Sequence, residues 1–522
     1  MNFDLERATD VAVVGAGSMG AGIAQLAAQS GHRVRLFDTQ PGASARALGR
    51  IEADLAASVQ RGRIDAAERD AVRARLAPVD DVAAFAGCGL AVEAIVEQLE
   101  PKKALFRQLE AVLGADAVLA TNTSSISITA IAQGLAQPRR VIGLHFFNPV
   151  TRMKLVEIIR GVETEPALAT ALHALSKAWG KTPVDAPNAP GFIVNRVARP
   201  YYAEAMRLLA ERIAAPAAID RLLREAGGFA MGPFELIDLI GAEVNLSVTE
   251  SVFAATAWDS RYAPHIIQQE LVRAGRFGRK TGHGFYDYRE GAKPPAVETV
   301  SPAAGAAAPV AVAAEAGLLG ALAERLRRAG RAVETDTSLP PETLALGGER
   351  IALTDGRTLA ERRAQALKPE QAQTPEQAQT PARAQAPSLL LDLARDYGTT
   401  PVVGACGPAD ALARLAAALQ PAGVGVVALD DVAGLVVMRT IACLVNEAAD
   451  LITWTGTRAS DIDTSMRLGM AYAQGPLAWA DAIGASRVAT VLARLQAHYG
   501  EPRYRCSPRL SRAHHTRETF HG

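Results

Sequence analysis

Apolar residues in the first 185 or so positions gather into short uninterrupted runs, among them VAVV, LAVEAI, AVLAT and VIGLHFF. Runs of this length bounded by turn residues read as buried strands. Stretches with helical spacing lie between them, and DVAVVGAGSMGAGIAQLAAQSGHRVRLFD holds a whole strand–turn–helix–strand unit. This alternation predicts an α/β domain over residues 1–187, with a Rossmann-type parallel sheet covered by helices on both faces. A single long helical stretch rich in Ala and Arg, residues 43–76, is expected between its second and third strands.

From Asn188 the pattern changes to helices broken at Gly and Pro, predicting an all-α domain over residues 188–290. Residues 291–430 read as a degenerate α/β domain without a glycine fingerprint. It carries Pro/Ala/Gln-rich loops, including a tandem hexapeptide, PEQAQTPEQAQT, at 369–380. Residues 431–522 repeat the helical domain. With Gly191 set over Gly434 and no gaps, Arg196 meets Arg439, Glu204 meets Glu447 and Asp220 meets Asp463. Asp238 then meets Asp481, and Gly241 meets Gly484. One exchange stands out: Asn195 in the first copy is Met438 in the second.

At 522 residues the chain is too long for one core. Lys+Arg and Asp+Glu balance at 55 each, so no net field draws it to nucleic acid or a membrane surface. Cys88, Cys406, Cys443 and Cys506 are far apart and form no CxxC pair, which argues against a disulfide framework or zinc site and suits a reducing cytoplasm, and no metal is expected. The opening MNFDLERATD is unlike a secretory signal, and no apolar run is long enough to span a bilayer.

Chemistry concentrates at two places. Gly15, Gly17, Ser18, Met19 and Gly20 belong to a GxGxxG turn that follows a strand and opens a helix, with Asp38 ending the next strand. Glycines there permit a tight turn and close backbone approach to a pyrophosphate, and the helix N-terminus attracts its charge. Asp38 would bond the ribose hydroxyls and repel a 2′-phosphate, so NAD is expected as cofactor. The second place is VIGLHFFNPVTRMKLVEII. His145 and Glu157 sit there in otherwise apolar strand-like runs, and two adjacent strands would bring them together. Alone, His145 would read as a satisfied core histidine. Its place late in the sheet, near the polar strand end TNTSS, makes it a candidate acid/base.

GAGSMGAGIA, EAIVE, TNTSS, GLHFFNP, KLVEII, PGFIVNR and GRKTGHGFYDY together resemble the L-3-hydroxyacyl-CoA dehydrogenases over residues 8–290. The length, the duplicated tail and GPLAWAD resemble the long bacterial members, which include 3-hydroxyadipyl-CoA dehydrogenases of phenylacetate breakdown. The resemblance implies NAD-dependent oxidation of a 3-hydroxyacyl-CoA such as the 3-hydroxyadipyl or 3-hydroxybutyryl thioester, within fatty-acid β-oxidation or phenylacetate catabolism. His145 would be the base, Glu157 its orienting carboxylate, and Ser124 and Asn195 polar partners of the substrate oxygen. Asn195 would come from the helical domain, closing the site where two domains meet.

Glu97, Lys102 and Lys280 match cofactor-side positions of the family, although each lysine also reads as a solvated surface charge. Asn148 would contact nicotinamide or fix the turn. Ser124 or Ser125 could instead cap a helix at TSSISIT. Arg61 or Arg63 would serve the CoA phosphates.

Two other functions compete, a dehydrogenase of a free 3-hydroxy acid and a non-enzymatic NAD-binding structural protein. Lacking fingerprint, HFFNP and Asn at 438, the second half is expected to be catalytically silent. It would pack its helical copy on the first as an internal pseudo-dimer, and homodimerisation of whole chains is a further expectation. The Arg/His-rich tail after Arg503 reads as an ordered cap on the second helical copy, with an interaction arm as the alternative.

Overall fold

The computed structural model describes residue 5 and residues 9–304, 308–366 and 386–522. The tandem hexapeptide lies outside the described residues. The chain forms two compact units, one of residues 1–196 with 455–470, the other of residues 197–454 with 471–522.

The first unit is built on eight strands: β1 (Val11–Val14), β2 (Val34–Phe37), β3 (Leu76–Pro78), β4 (Leu90–Glu93), β5 (Val118–Thr121), β6 (Val141–Phe146), β7 (Leu155–Arg160) and β8 (Thr182–Ala186). They lie in the order β3-β2-β1-β4-β5-β6-β7-β8. Apolar side chains of β1, β4 and β6 pack with Ile23, Ala24 and Ala27 of the helix Ser18–Gln29 in one buried core. The expected all-parallel sheet is corrected at one edge, where β7 runs antiparallel to β6 and β8 parallels β7. The link over residues 147–154 is shorter than the roughly dozen residues a parallel crossover needs, so the chain turns back on itself.

The single helix expected over residues 43–76 is two, Ala43–Gln60 and Ala66–Ala74, followed by the edge strand β3. Gly62, at φ 65°, turns the chain between them, and Asp65 caps the second helix through the Glu68 N–H. Only Leu76 of β3 is buried, which leaves little apolar pattern to mark a strand.

In the second unit, the helices Arg199–Ala210, Pro216–Glu225, Pro233–Ile240, Ala242–Ala255 and Ile266–Arg273 precede a seven-stranded sheet. Its strands are β9 (Val310–Ala313), β10 (Val333–Asp336), β11 (Thr343–Leu346), β12 (Glu349–Leu353), β13 (Leu389–Leu391), β14 (Val402–Cys406) and β15 (Gly425–Leu429), ordered β10-β9-β11-β12-β13-β14-β15. This repeats the first sheet without its β3 edge. The parallel pair β9 and β10 is joined through the helix Leu319–Arg328, as β1 and β2 are through Ser18–Gln29. The trio β13, β14 and β15 repeats the antiparallel-then-parallel pairing of β6, β7 and β8. One strand differs, because β11 runs antiparallel to both neighbours.

The two helical copies meet through exchanged contacts within this unit. Tyr262, in the SRY turn of the first copy, donates its hydroxyl to Glu447 of the second at 2.5 Å. Tyr504, in the matching PRY turn, donates to Glu204 of the first at 3.0 Å. Such reciprocity characterises an isologous contact. Arg439, fully buried, reinforces it with bonds to Glu204 at 2.7 Å and to Glu211 and Tyr504. The C-terminal tail is ordered. Asp481 accepts the Phe520 N–H and pairs with His521, as Asp238 accepts the N–H groups of Phe285 and Tyr286.

Among the described residues no helix is long and apolar enough to cross a membrane, and all four cysteines are free thiols. Removing Arg439 would leave the buried Glu204 carboxylate short of a partner. Arg439→Ala is therefore expected to cost about 3–5 kcal/mol of stability, read as a lower denaturant midpoint.

Candidate active site

The fingerprint turn lies at the carboxyl end of β1, where strand order reverses between β1 and β4. Two of its glycines are required by packing and conformation. Gly15 has φ 100° and a Cβ there would lie 2.4 Å from the Ala94 carbonyl oxygen. A Cβ on Gly20 would meet the Gly15 oxygen at 1.8 Å. Gly17 is different, since a Cβ there meets nothing within 4 Å. Packing does not demand glycine at that position, but close approach of a ligand to the backbone does. Gly17 caps the helix without a side chain, and Ser18 and Met19 are its first residues, so first-turn N–H groups face outward. Asp38 accepts the Ala16 and Gln40 N–H groups at 2.7 and 2.9 Å. It lines a cavity of about 650 Å³ with Phe37, Gln40, Arg46, Ile95 and Gln108. An acid at the end of β2, beside an apolar slot and an open glycine turn, fits the adenosine half of NAD.

Glu97 ties the next two loops together. Its Oε1 accepts the Ser124 and Ser125 N–H groups at 2.8 and 3.0 Å and the Thr123 hydroxyl at 2.7 Å. Lys102 is buried, and its ammonium contacts Glu97 at 3.2 Å and Glu93 at 2.6 Å. Glu93, also buried, takes the Thr121 hydroxyl at 2.6 Å. Burial works to raise the Glu97 carboxyl, but Lys102 and the donors of the TNTSS loop outweigh it and hold the group below its usual 4.5.

His145 and Glu157 face each other directly across β6 and β7. Nδ1 of His145 lies 2.7 Å from Glu157 Oε2, with the ring 5% exposed and the carboxylate not at all. Glu157 Oε1 accepts the N–H groups of Ile193 and Val194, both at 3.1 Å, where the short helix Val194–Val197 begins. An acceptor-only carboxylate fixes the proton on Nδ1, leaving Nε2 as the basic atom. Phe147 and Phe192 stand edge-on to the ring, with centroids 4.6 and 5.7 Å away. Asn122 accepts the Phe146 N–H at 2.8 Å, holding the TNTSS loop against the end of β6.

The structure pairs His145 with Glu157, and Ser124 and Asn195 lie in the same unit. Asn195 lies in the short helix Val194–Val197, whose first N–H groups Glu157 holds, and falls at the end of the first unit. The serine expectation is corrected: Ser127 caps the helix Ile128–Ala132, while the Ser124 and Ser125 hydroxyls both point to Glu97. Lys102 is not a solvated charge, since its ammonium is buried between two carboxylates. Lys280 belongs to the second unit, where it pairs with Glu243. Asn148 is exposed in the turn after β6, and Arg61 and Arg63 are exposed between two helices. Asn122, Thr123 and Glu93 were not singled out by sequence, although a lone acid closing the apolar strand LAVE was a visible signal for Glu93.

The model of the 3-hydroxyacyl-CoA dehydrogenase NAD-binding domain matches residues 10–189, and that of the 3-hydroxyacyl-CoA dehydrogenase C-terminal domain matches residues 191–288 and 434–519. The chain belongs to the 3-hydroxyacyl-CoA dehydrogenase family. It is accordingly an NAD-dependent oxidoreductase acting on the CH–OH group of a 3-hydroxyacyl-CoA. The 3-hydroxyadipyl-CoA dehydrogenase of Escherichia coli K12 is 42% identical, covering 96% of this chain and 97% of that protein. A probable 3-hydroxybutyryl-CoA dehydrogenase of Bacillus subtilis is 39% identical over 54% of this chain and 97% of its own length. The crystal structure of a 3-hydroxybutyryl-CoA dehydrogenase from E. coli K12 superposes with TM-score 0.85 at 39% identity, covering 98% of both chains.

The second sheet of this dehydrogenase keeps the frame of the site and loses its groups. The offset that sets Gly191 over Gly434 sets Val184 over Val427. Val184 pairs with Glu157, which faces His145, whereas Val427 pairs with Gly404, which faces Asp392. The dinucleotide helix has a counterpart in Leu319–Arg328, but Glu342, clamped by Arg487, accepts the Leu318 N–H at its start.

The depressed Glu97 carboxyl has a consequence for stability. Between its folded and unfolded values the folded chain binds fewer protons, so the stabilisation is complete above about pH 4.5 and lost as pH falls through the folded value. Glu97→Gln is expected to melt lower at pH 7 and to lose this acid-side dependence in thermal scans across pH 3–6.

Proposed function

We propose that His145 Nε2 removes the C3 hydroxyl proton of the substrate in oxidation and returns it in reduction. Glu157 steers the ring and stabilises the imidazolium formed, and Ser124 and Asn195 hold the substrate oxygen. The observation that carries this reading is the 2.7 Å contact of a buried histidine and carboxylate on β6 and β7, in the same sheet that carries the fingerprint turn. NAD, when bound, supplies the hydride acceptor. Gly15, Gly17, Ser18, Met19 and Gly20 would hold its phosphates and Asp38 its ribose. Glu97 and Asn148 would act toward the nicotinamide side, and Lys102 through Glu97. Arg61 or Arg63 would offer a cation to the CoA phosphates.

We read the preferred substrate as 3-hydroxyadipyl-CoA, after a relative of that name that is 42% identical over 96% of this chain, against 39% for the full-length structure named for 3-hydroxybutyryl-CoA. The second half is proposed to be silent. Asp392, Gly404 and Met438 stand at the positions of His145, Glu157 and Asn195, and Glu342 occupies the helix start where a phosphate would bind. The exchanged tyrosine–glutamate contacts support an internal pseudo-dimer of helical copies. The free thiols are consistent with a cytoplasmic protein.

His145→Ala is expected to lower kcat about 10²- to 10⁴-fold while NAD binds as in wild type, and unchanged turnover would contradict the assignment. Across a panel of acyl-CoA thioesters, kcat/KM should be highest for the dicarboxylic substrate. A preference for 3-hydroxybutyryl-CoA would overturn that part.

A further inference from the structure

Residues 455–470 come from the second helical copy yet belong to the first unit. Their helix, Ala459–Gly469, packs on β7 and β8. The arrangement has a counterpart in the second unit, where Pro216–Glu225 of the first copy packs on β14. A Cβ added at Gly404 there would lie 3.2 Å from Leu222. In both sheets, then, the strand in the β7 position is covered by a helix of the other half.

Gly469 ends the helix on β7. Its φ is not left-handed, so backbone conformation does not require glycine. Packing does. A Cβ there would lie 2.9 Å from Val194 Cγ2 and 3.0 Å from Leu155 Cδ2, both side chains buried. One of these neighbours lies on the strand of Glu157 and the other at the helix start that Glu157 holds. Leu155 lies two residues before Glu157 on the same face of β7. Val194 donates its N–H to Glu157 and precedes Asn195. A side chain at 469 would push the strand from the helix start that Glu157 joins.

We infer that Gly469 is a positioning residue for the acid/base pair, and that the silent half serves catalysis by supplying it. This rests on the assignment of His145 and Glu157 made above.

The test uses the full-length enzyme with Gly469→Ala and Gly469→Val, measuring kcat, KM, NAD affinity and the pH dependence of kcat. Gly469→Val should lower kcat by about 10- to 100-fold, a misplacement effect, and shift the pH midpoint of the profile. NAD affinity should be unchanged, and Val194→Ala in the same chain should restore much of the rate. Gly469→Ala should move the same readouts less, and decides the matter alone if the valine variant is insoluble. Ile462→Ala, buried in the same helix, serves as the control: it should lower the melting temperature and leave the pH profile in place. Wild-type kcat and pH profile in the Gly469 variants would overturn the inference, as would an equal shift from Ile462→Ala. If His145→Ala is inactive while the Gly469 variants are normal, only this inference fails. An active His145→Ala would instead remove the assignment beneath it.

Discussion

The buried carboxylate of Glu157 is the constraint on which the site depends. It has no exposure to water, so each of its oxygens must meet a placed donor. One oxygen takes the imidazole of β6, and the other takes two N–H groups at the start of the helix that carries Asn195. The same contacts that make the charge tolerable therefore fix the tautomer of His145 and the place of Asn195. A second carboxylate, Glu97, does comparable work for the TNTSS loop, with Lys102 buried behind it. Two acids thus tie β6 to β7 and the loop after β4 to the loop after β5, beside which the dinucleotide is proposed to bind.

The second half separates what folding needs from what chemistry needs. Asp392, at the place of His145, accepts the N–H groups of Val436, Val437 and Met438, the counterparts of Ile193, Val194 and Asn195. Burial pushes its carboxyl up to about 6 despite these donors. An acid gripping the helix start is kept in both halves, whereas the imidazole, the amide and the open helix N-terminus are kept in one. The grip is a condition of the architecture, and the histidine, in the mechanism proposed, is a condition of the reaction. Glu342 supplies from within the chain the negative charge that a phosphate is proposed to bring to the helix Ser18–Gln29.

Much of this was legible in the sequence because it depends on local pattern. The fingerprint turn, Asp38 and the strands carrying His145 and Glu157 follow from short apolar runs and their punctuation, and the repeat followed from counting Gly191 against Gly434. What escaped depends on contacts between distant residues. The reversal of β7 was hinted at only by the short link after Phe146. The β3 edge exposes two of its three residues and leaves no pattern. Ser127, rather than Ser124 or Ser125, caps its helix because Glu97 holds the other two hydroxyls. Lys102 resembles any helix-surface lysine until Glu93 and Glu97 close around it. The grouping of residues 455–470 with the first unit, and hence the need for glycine at 469, is invisible in a linear repeat.

The most direct measurement is the pH dependence of kcat for Glu157→Gln alongside wild type, with NAD affinity determined on both. An amide preserves shape but can present the wrong atoms to the ring and the helix start. A fall in kcat on the order of 10³- to 10⁴-fold is expected, with a displaced profile and unaltered NAD binding. A Glu157→Gln enzyme that turns over at the wild-type rate with the wild-type profile would contradict the account.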